Sequence, residues 1–139
     1  IMHMQGQPST MQSNPEYNDL LSEVTQFLEQ RVKQCLLAGM RRENVILDPG
    51  FGFGKTVEHN YHLLANMEKF HALGLPVLAG MSRKSMIYKL LEKEPAECMV
   101  ASVSCAVIAA EKGAQIIRVH DFVESLEALK IVQAVRNNK

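Results

Sequence analysis

The chain has 139 residues, 47% apolar and 22% charged, and its 15 Lys+Arg balance 15 Asp+Glu to a net charge of zero. Such a length and composition suit one globular domain with a sizeable core. The charge balance offers no general polyanion-binding surface, so no nucleic-acid partner is expected. No apolar run approaches the roughly 18 residues that span a bilayer, so no membrane partner is expected either.

No secretory signal is visible. Cys35, Cys98 and Cys105 form no C-x-x-C pair, and two of them fall at helical core spacing. Reduced thiols and a cytoplasmic setting are therefore expected.

Ile1-Met2-His3-Met4-Gln5-Gly6 reads as the end of a strand. Asn14-Pro15 is a cap-plus-first-turn pair, and the apolar positions from Leu20 to Leu36 follow at helical spacing until Gly39. Val45–Leu47 predicts a strand. His59 to Leu73 predicts a helix with Leu63, Leu64, Met67 and Phe70 on one face, stopping at Gly74. Pro76–Ala79 is the next strand, bounded by Gly80, and a short helix over Ser85–Leu91 follows. Pro95 opens a segment to Lys112 that is apolar on nearly every side, which predicts a helix covered on more than one face. Gly113 ends it, Ile116–Val119 predicts a further strand, and Asp121 with Glu124 forms a capping-box pattern opening a last helix through Arg136. Strand followed by helix, repeated, argues for a parallel sheet flanked by helices in one domain over residues 1–139.

The polar residues cluster where strands end. Asp48-Pro49-Gly50-Phe51-Gly52-Phe53-Gly54-Lys55 directly follows Val45–Leu47. Its alternating glycines would let the backbone approach a flat or anionic ligand, and its phenylalanines offer aromatic faces. Gly54-Lys55-Thr56 matches the end of a nucleotide P-loop, but Pro49 stands where the first glycine belongs and has no N–H for a phosphate nest. Ser82-Arg83-Lys84-Ser85 puts hydroxyls and cations on one strand-to-helix turn. It suits an anion or an electron-rich carbonyl, with a simple helix cap by Ser82 as the alternative. Arg118 and His120 share one face of their strand. Together they suit a bound anion, or else a strand-end ion pair with Asp121 or another carboxylate. His59, His62 and His71 complete no metal site and read as structural or surface histidines.

Together, Met2-His3-Met4-Gln5-Gly6, the Asp48–Lys55 loop, Gly80-Met81-Ser82-Arg83-Lys84-Ser85 and Arg118-Val119-His120-Asp121 resemble the dihydropteroate synthase family. The resemblance covers the whole chain but only the C-terminal half of the family's domain. It implies an α/β fold, the C-terminal half of a (β/α)8 TIM barrel of roughly 250 residues, holding the end of strand 5 and βα units 6 to 8. It implies joining of 7,8-dihydropterin-6-ylmethyl diphosphate to p-aminobenzoate, giving dihydropteroate and pyrophosphate in folate biosynthesis.

By the same resemblance Asp48 accepts hydrogen bonds from the pterin, bordered by Met2, Gly80 and Phe53. Lys84 meets the pterin carbonyl side and lines the p-aminobenzoate slot with Phe53 and Ser82. Arg118 and His120 clamp the diphosphate, and Arg118 also lies against the pterin. Lys84, Arg118 and His120 are the catalytic candidates. Mg²⁺ is implied as cofactor, with its ligand in the family's N-terminal half and none in this chain. Sulfonamide inhibitors and a homodimer are implied as well. The family's remaining pterin contacts and its two mobile loops map onto none of these residues, so the polypeptide alone is expected to be inactive. Two other readings stay open: a pterin-dependent methyltransferase domain, and a non-catalytic half-barrel that only binds or assembles.

Overall fold

The computed structural model describes residues 1–6 and 15–138. It is an α/β fold made mostly of helices around a small parallel sheet. Five helices follow in chain order: α1 (Leu20–Leu37), α2 (Val57–Ala65), α3 (Ser85–Leu91), α4 (Met99–Glu111) and α5 (Phe122–Arg136). Two short strands, β1 (Leu78–Ala79) and β2 (Ile116–Ile117), pair in parallel, Leu78 opposite Ile116. Parallel bridges extend the sheet on the other side, Leu47 to Val77 and Asp48 to Met2. Four extended segments thus lie side by side in chain order and end at the same edge. That edge receives the 48–55 loop, the 80–84 turn and residues 118–121.

Glycine ends several elements as expected: Gly39, Gly74 and Gly113 all hold positive φ. Other boundaries differ from the sequence pattern. Asn14 lies outside the described residues, and the cap of α1 is Asp19, whose carboxylate accepts the Ser22 N–H at 3.1 Å. The helix expected over 59–73 is two elements, α2 capped by Thr56 and a 3-10 turn over Met67–Leu73, divided at Asn66. Pro95–Glu97 forms its own 3-10 turn before α4. The strand expected over 116–119 pairs only at Ile116 and Ile117, with one further bond from Arg118 N–H to the Ala79 carbonyl.

The capping box expected at Asp121 and Glu124 does not form. Asp121 stands at the N-cap without a side-chain cap bond, because its carboxylate takes the Arg83 guanidinium instead. A two-point bond to a guanidinium outweighs a single cap bond to a backbone N–H. On α4 Cys105, Ala106 and Ala109 are buried, while Val100 is 72% and Ile108 45% exposed.

The core lies between the sheet and α1, α2 and α3. Val24 and Leu28 from α1, Leu47, Val77 and Ala79 from the sheet, and Leu63, Met67, Phe70 and Met86 all belong to one buried apolar cluster. Each fully buried Leu, Phe or Met contributes about 1.5–3 kcal/mol. The core therefore anchors the strand whose end carries Asp48. No helix among the described residues is long and apolar enough to cross a membrane. The three cysteines are free, Cys98 and Cys105 buried and Cys35 half-buried.

Candidate functional site

The residues singled out by sequence gather at the shared strand edge. Asp48 is half-buried, and its Oδ1 accepts the Gly50 N–H at 2.8 Å. Burial raises its carboxyl above the usual carboxylate range, opposed by the Gly50 N–H, Lys84 and Lys55. Lys84 reaches across from the next strand end. Its Nζ donates to the Phe51 carbonyl at 2.6 Å and lies 4.7 Å from the centre of the Phe53 ring. Burial lowers its pKa, Asp48 raises it and Arg118 lowers it again. A carboxylate, an ammonium and an aromatic face thus stand near one another at the strand edge. Met2, 38% exposed, stands beside Asp48 across their bridge.

The second cluster joins the β1 and β2 ends. Ser82 is buried; its Oγ accepts the His120 N–H at 3.2 Å and lies 3.0 Å from His120 Nδ1. The one hydroxyl thus touches both the backbone N–H and the ring of His120. Ser82 therefore does not cap α3, whose N-cap is Lys84 without a side-chain bond. Arg118 lays its stem across Gly80, its Cβ 3.5 Å from where a side chain there would begin. Arg118 and His120 are exposed, and no described carboxylate forms an ion pair with either. Asp121, the carboxylate at hand, is taken by Arg83: Nε and the terminal nitrogen reach its two oxygens at 3.2 and 2.5 Å. Arg83 holds φ at +55° and gives its N–H to Ser102 Oγ at 2.9 Å, so its side chain is aimed from a fixed backbone.

The glycine loop does something different from what its spacing suggests. A side chain at Gly50 would begin 1.8 Å from the His3 carbonyl oxygen, and one at Gly54 2.4 Å from that of Gln5. Those two glycines admit the chain's own first segment, not a ligand. Gly52 instead lies beneath the Lys84 methylenes, 3.2 Å from a Cβ position. Phe51 is fully buried and belongs to the core, leaving Phe53 as the one aromatic face of the loop near the site.

Three residues missed by sequence reasoning hold this loop from inside. Lys55 is 2% exposed, and its Nζ donates to the Gly50 carbonyl at 2.9 Å, the Phe53 carbonyl at 3.0 Å and His3 Nδ1 at 2.9 Å. Burial, with Lys84 nearby, lowers its pKa to about 7 against the pull of Asp48. Burial and Lys55 lower that of His3 to about 4. Asn60, fully buried, accepts the Gly52 N–H at 2.7 Å. A signal existed for Asn60 alone: it precedes Leu63 and Leu64 at helical spacing on the buried face. Thr56, the last letter of the P-loop-like string, caps α2 reciprocally with His59. The string is structural. Of the other histidines, His62 is exposed and His71 Nε2 lies 3.2 Å from the Lys112 carbonyl.

Residues 1–120 match the family described as "Pterin binding enzyme". The chain belongs to the pterin-binding enzyme family. Dihydropteroate synthase of Escherichia coli (strain K12) is 51% identical over 139 residues, all of this chain and 49% of that protein. The Haemophilus influenzae dihydropteroate synthase is 52% identical over 137 residues, 99% of this chain and 50% of that protein. The Yersinia pestis dihydropteroate synthase, solved in a sulfonamide drug complex, superimposes with a TM-score of 0.98 at 51% identity. That superposition covers 99% of this chain and 50% of the Yersinia chain. The chain thus spans about half the length of the relatives it matches. Among the described residues of this member of the pterin-binding enzyme family, no three His, Cys, Asp or Glu are placed to hold a metal ion.

Proposed function

We propose that residues 1–139 form the C-terminal half of a dihydropteroate synthase: the end of strand 5 and βα units 6 to 8 of a (β/α)8 barrel, with the substrate site at the strand C-termini. One observation carries this reading. Asp48, Lys84 with Phe53, and Ser82 with Arg118 and His120 converge at one edge of the parallel sheet, separating an acceptor for ring donors from a cluster of cations.

In this reading the Asp48 carboxylate accepts the amino and ring N–H donors of the pterin, with Met2 and Gly80 at its border. Lys84 donates to the pterin carbonyl, and its stem and the Phe53 ring flank p-aminobenzoate, whose carboxylate meets Ser82. Arg118 and His120 take the diphosphate. The bond from the methylene carbon to the diphosphate oxygen breaks, the electron pair leaves with pyrophosphate, and the amine of p-aminobenzoate bonds to that carbon and loses a proton. Two cationic or N–H-donating groups already in place stabilise the leaving charge, while the aromatic slot aligns the amine. No side chain forms a covalent bond.

The setting is cytoplasmic and the working protein a homodimer. Phe122, Val123, Ile131 and Val135 on α5 and Val100 and Ile108 on α4 are exposed apolar side chains, which favours association. Mg²⁺ belongs to the family's N-terminal half, outside these residues.

Calorimetry with a dihydropterin diphosphate analogue, paired with a synthase assay, tests the reading. Binding without turnover by the 1–139 polypeptide is expected, lost in Asp48→Asn. Absence of binding would leave an assembly role only, and turnover near that of a complete synthase would overturn the half-site.

A further inference from the structure

The hydrogen bonds around Lys55 close on themselves. Lys55 Nζ donates to His3 Nδ1 at 2.9 Å, and His3 N–H donates to the Asp48 carbonyl at 2.9 Å. The Asp48 carboxylate accepts the Gly50 N–H at 2.8 Å, and the Gly50 carbonyl accepts Lys55 Nζ at 2.9 Å. Asp48 is held in this circuit by both its main chain and its side chain. The third Nζ donor goes to the Phe53 carbonyl at 3.0 Å, across the turn that Phe53 N–H closes on the Gly50 carbonyl at 3.1 Å. In its charged form Lys55 has three donors, and the three contacts use all of them.

We infer that Lys55 is a positioning residue of the site, closing the circuit that aims the Asp48 carboxylate and setting the turn that presents Phe53. The inference rests on the pterin reading of Asp48 for its functional consequence, though not for its structural one. Two features argue that the lysine is placed for this. It is 2% exposed, so it touches no solvent-borne ligand and its burial is costly unless its bonds are needed. A purely apolar side chain would fill the same space without desolvating a cation, but would leave the Phe53 carbonyl unpaired on the inner side of the turn and the Gly50 carbonyl with the Phe53 N–H alone. The charge has a second effect. It lies close enough to Asp48 to favour the ionised carboxylate against the burial that opposes it. The titratable or charged groups facing Lys55 are His3, Asp48 and Lys84, and those facing Asp48 are Lys84, Lys55 and the Ile1 ammonium.

Lys55→Met removes donors and charge, and Lys55→Gln removes the charge but keeps a donor. In the full chain, the Asp48 carboxyl midpoint, followed by carbon-13 NMR, should rise by about one pH unit in both variants. Amide exchange at Phe53 should quicken about tenfold or more in Lys55→Met and less in Lys55→Gln. A role confined to filling space would leave the Asp48 midpoint in place. If both variants fail to fold, a titration of the unsubstituted chain decides. The Asp48 and Phe53 signals should then show a second inflection at the Lys55 midpoint read from its own Cε, and its absence would overturn the inference. An unmoved Asp48 midpoint with Phe53 exchange within about twofold would also overturn it. Calorimetry with a pterin separates the two readings. No pterin binding by the unsubstituted chain, with a responsive Asp48 midpoint, sinks the pterin reading and keeps Lys55. Equal pterin binding with an unmoved midpoint sinks Lys55 alone.

Discussion

The buried hydroxyl of Ser82 accepts the backbone N–H of His120 at 3.2 Å and lies 3.0 Å from the same residue's Nδ1. One short side chain thereby fixes both the backbone and the ring of an exposed histidine, across the gap between two strand ends. A ring held this way loses little rotamer freedom when it meets an anion.

Ser82→Ala should therefore affect ligand binding more than folding. The lost hydrogen bonds cost about 1 kcal/mol, read as a lower urea midpoint. Affinity for inorganic pyrophosphate should fall about tenfold, because the imidazole must now be ordered on binding. Calorimetry that finds pyrophosphate affinity unchanged would remove Ser82 from the anion site.

The Arg83–Asp121 pair predicts an acid limb. Hydrogen bonding and charge from Arg83 hold the Asp121 carboxyl below its ordinary value. The folded state thus binds this proton more weakly than the unfolded state. The pair's contribution is fully present above the ordinary carboxylate pKa of about 4 and is lost as pH falls below it. Denaturation midpoints of Asp121→Asn measured from pH 7 down to pH 3 should fall less steeply than those of the parent. Parallel curves would show that the pair does not set the limb.

How far the sequence showed this arrangement depends on where each signal lies. Asp48, Ser82-Arg83-Lys84 and Arg118-x-His120 were legible because each sits in a short string at a strand end, where a parallel sheet gathers its ligand contacts. The Lys55 circuit was not, since His3 and Lys55 are 52 residues apart and neither neighbourhood advertises the other. Gly50 and Gly54 carried a true backbone signal, but whether a ligand or Gln5 and His3 fills the space is a tertiary fact. Asp121 misled for a related reason: a cap pattern is local, while the guanidinium that displaced it comes from 38 residues away. The division of the 59–73 helix escaped because i, i+3 spacing fits both α and 3-10 turns over so few residues.

His3 makes stability rise with pH. Burial and Lys55 lower its folded pKa to about 4 from an ordinary 6.5. Its contribution is fully present above 6.5 and is lost as pH falls toward about 4, where the unfolded state binds the proton first. Asp48, whose carboxyl is raised by burial, acts in the opposite sense within part of that window. His3→Asn in an Asp48→Asn background isolates the effect. Its melting temperature should be flatter between pH 4 and 6.5 than that of Asp48→Asn alone, and an equal slope would show that His3 does not titrate as described.

Two glycines at similar φ separate backbone strain from collision. Gly39 holds φ at +89° with nothing within 4 Å of a Cβ position, whereas Gly50 holds +76° with the His3 carbonyl oxygen 1.8 Å away. Gly39→Ala should cost about 1–2 kcal/mol, the left-handed penalty alone. Gly50→Ala must also push the first segment off the Asp48 loop, breaking the Met2–Asp48 bridge and the Lys55–His3 contact together. It should cost about 4 kcal/mol or more and abolish pterin binding. Urea denaturation of the two variants gives the comparison directly. Equal losses would mean that the first segment moves aside freely and does not brace the Asp48 loop.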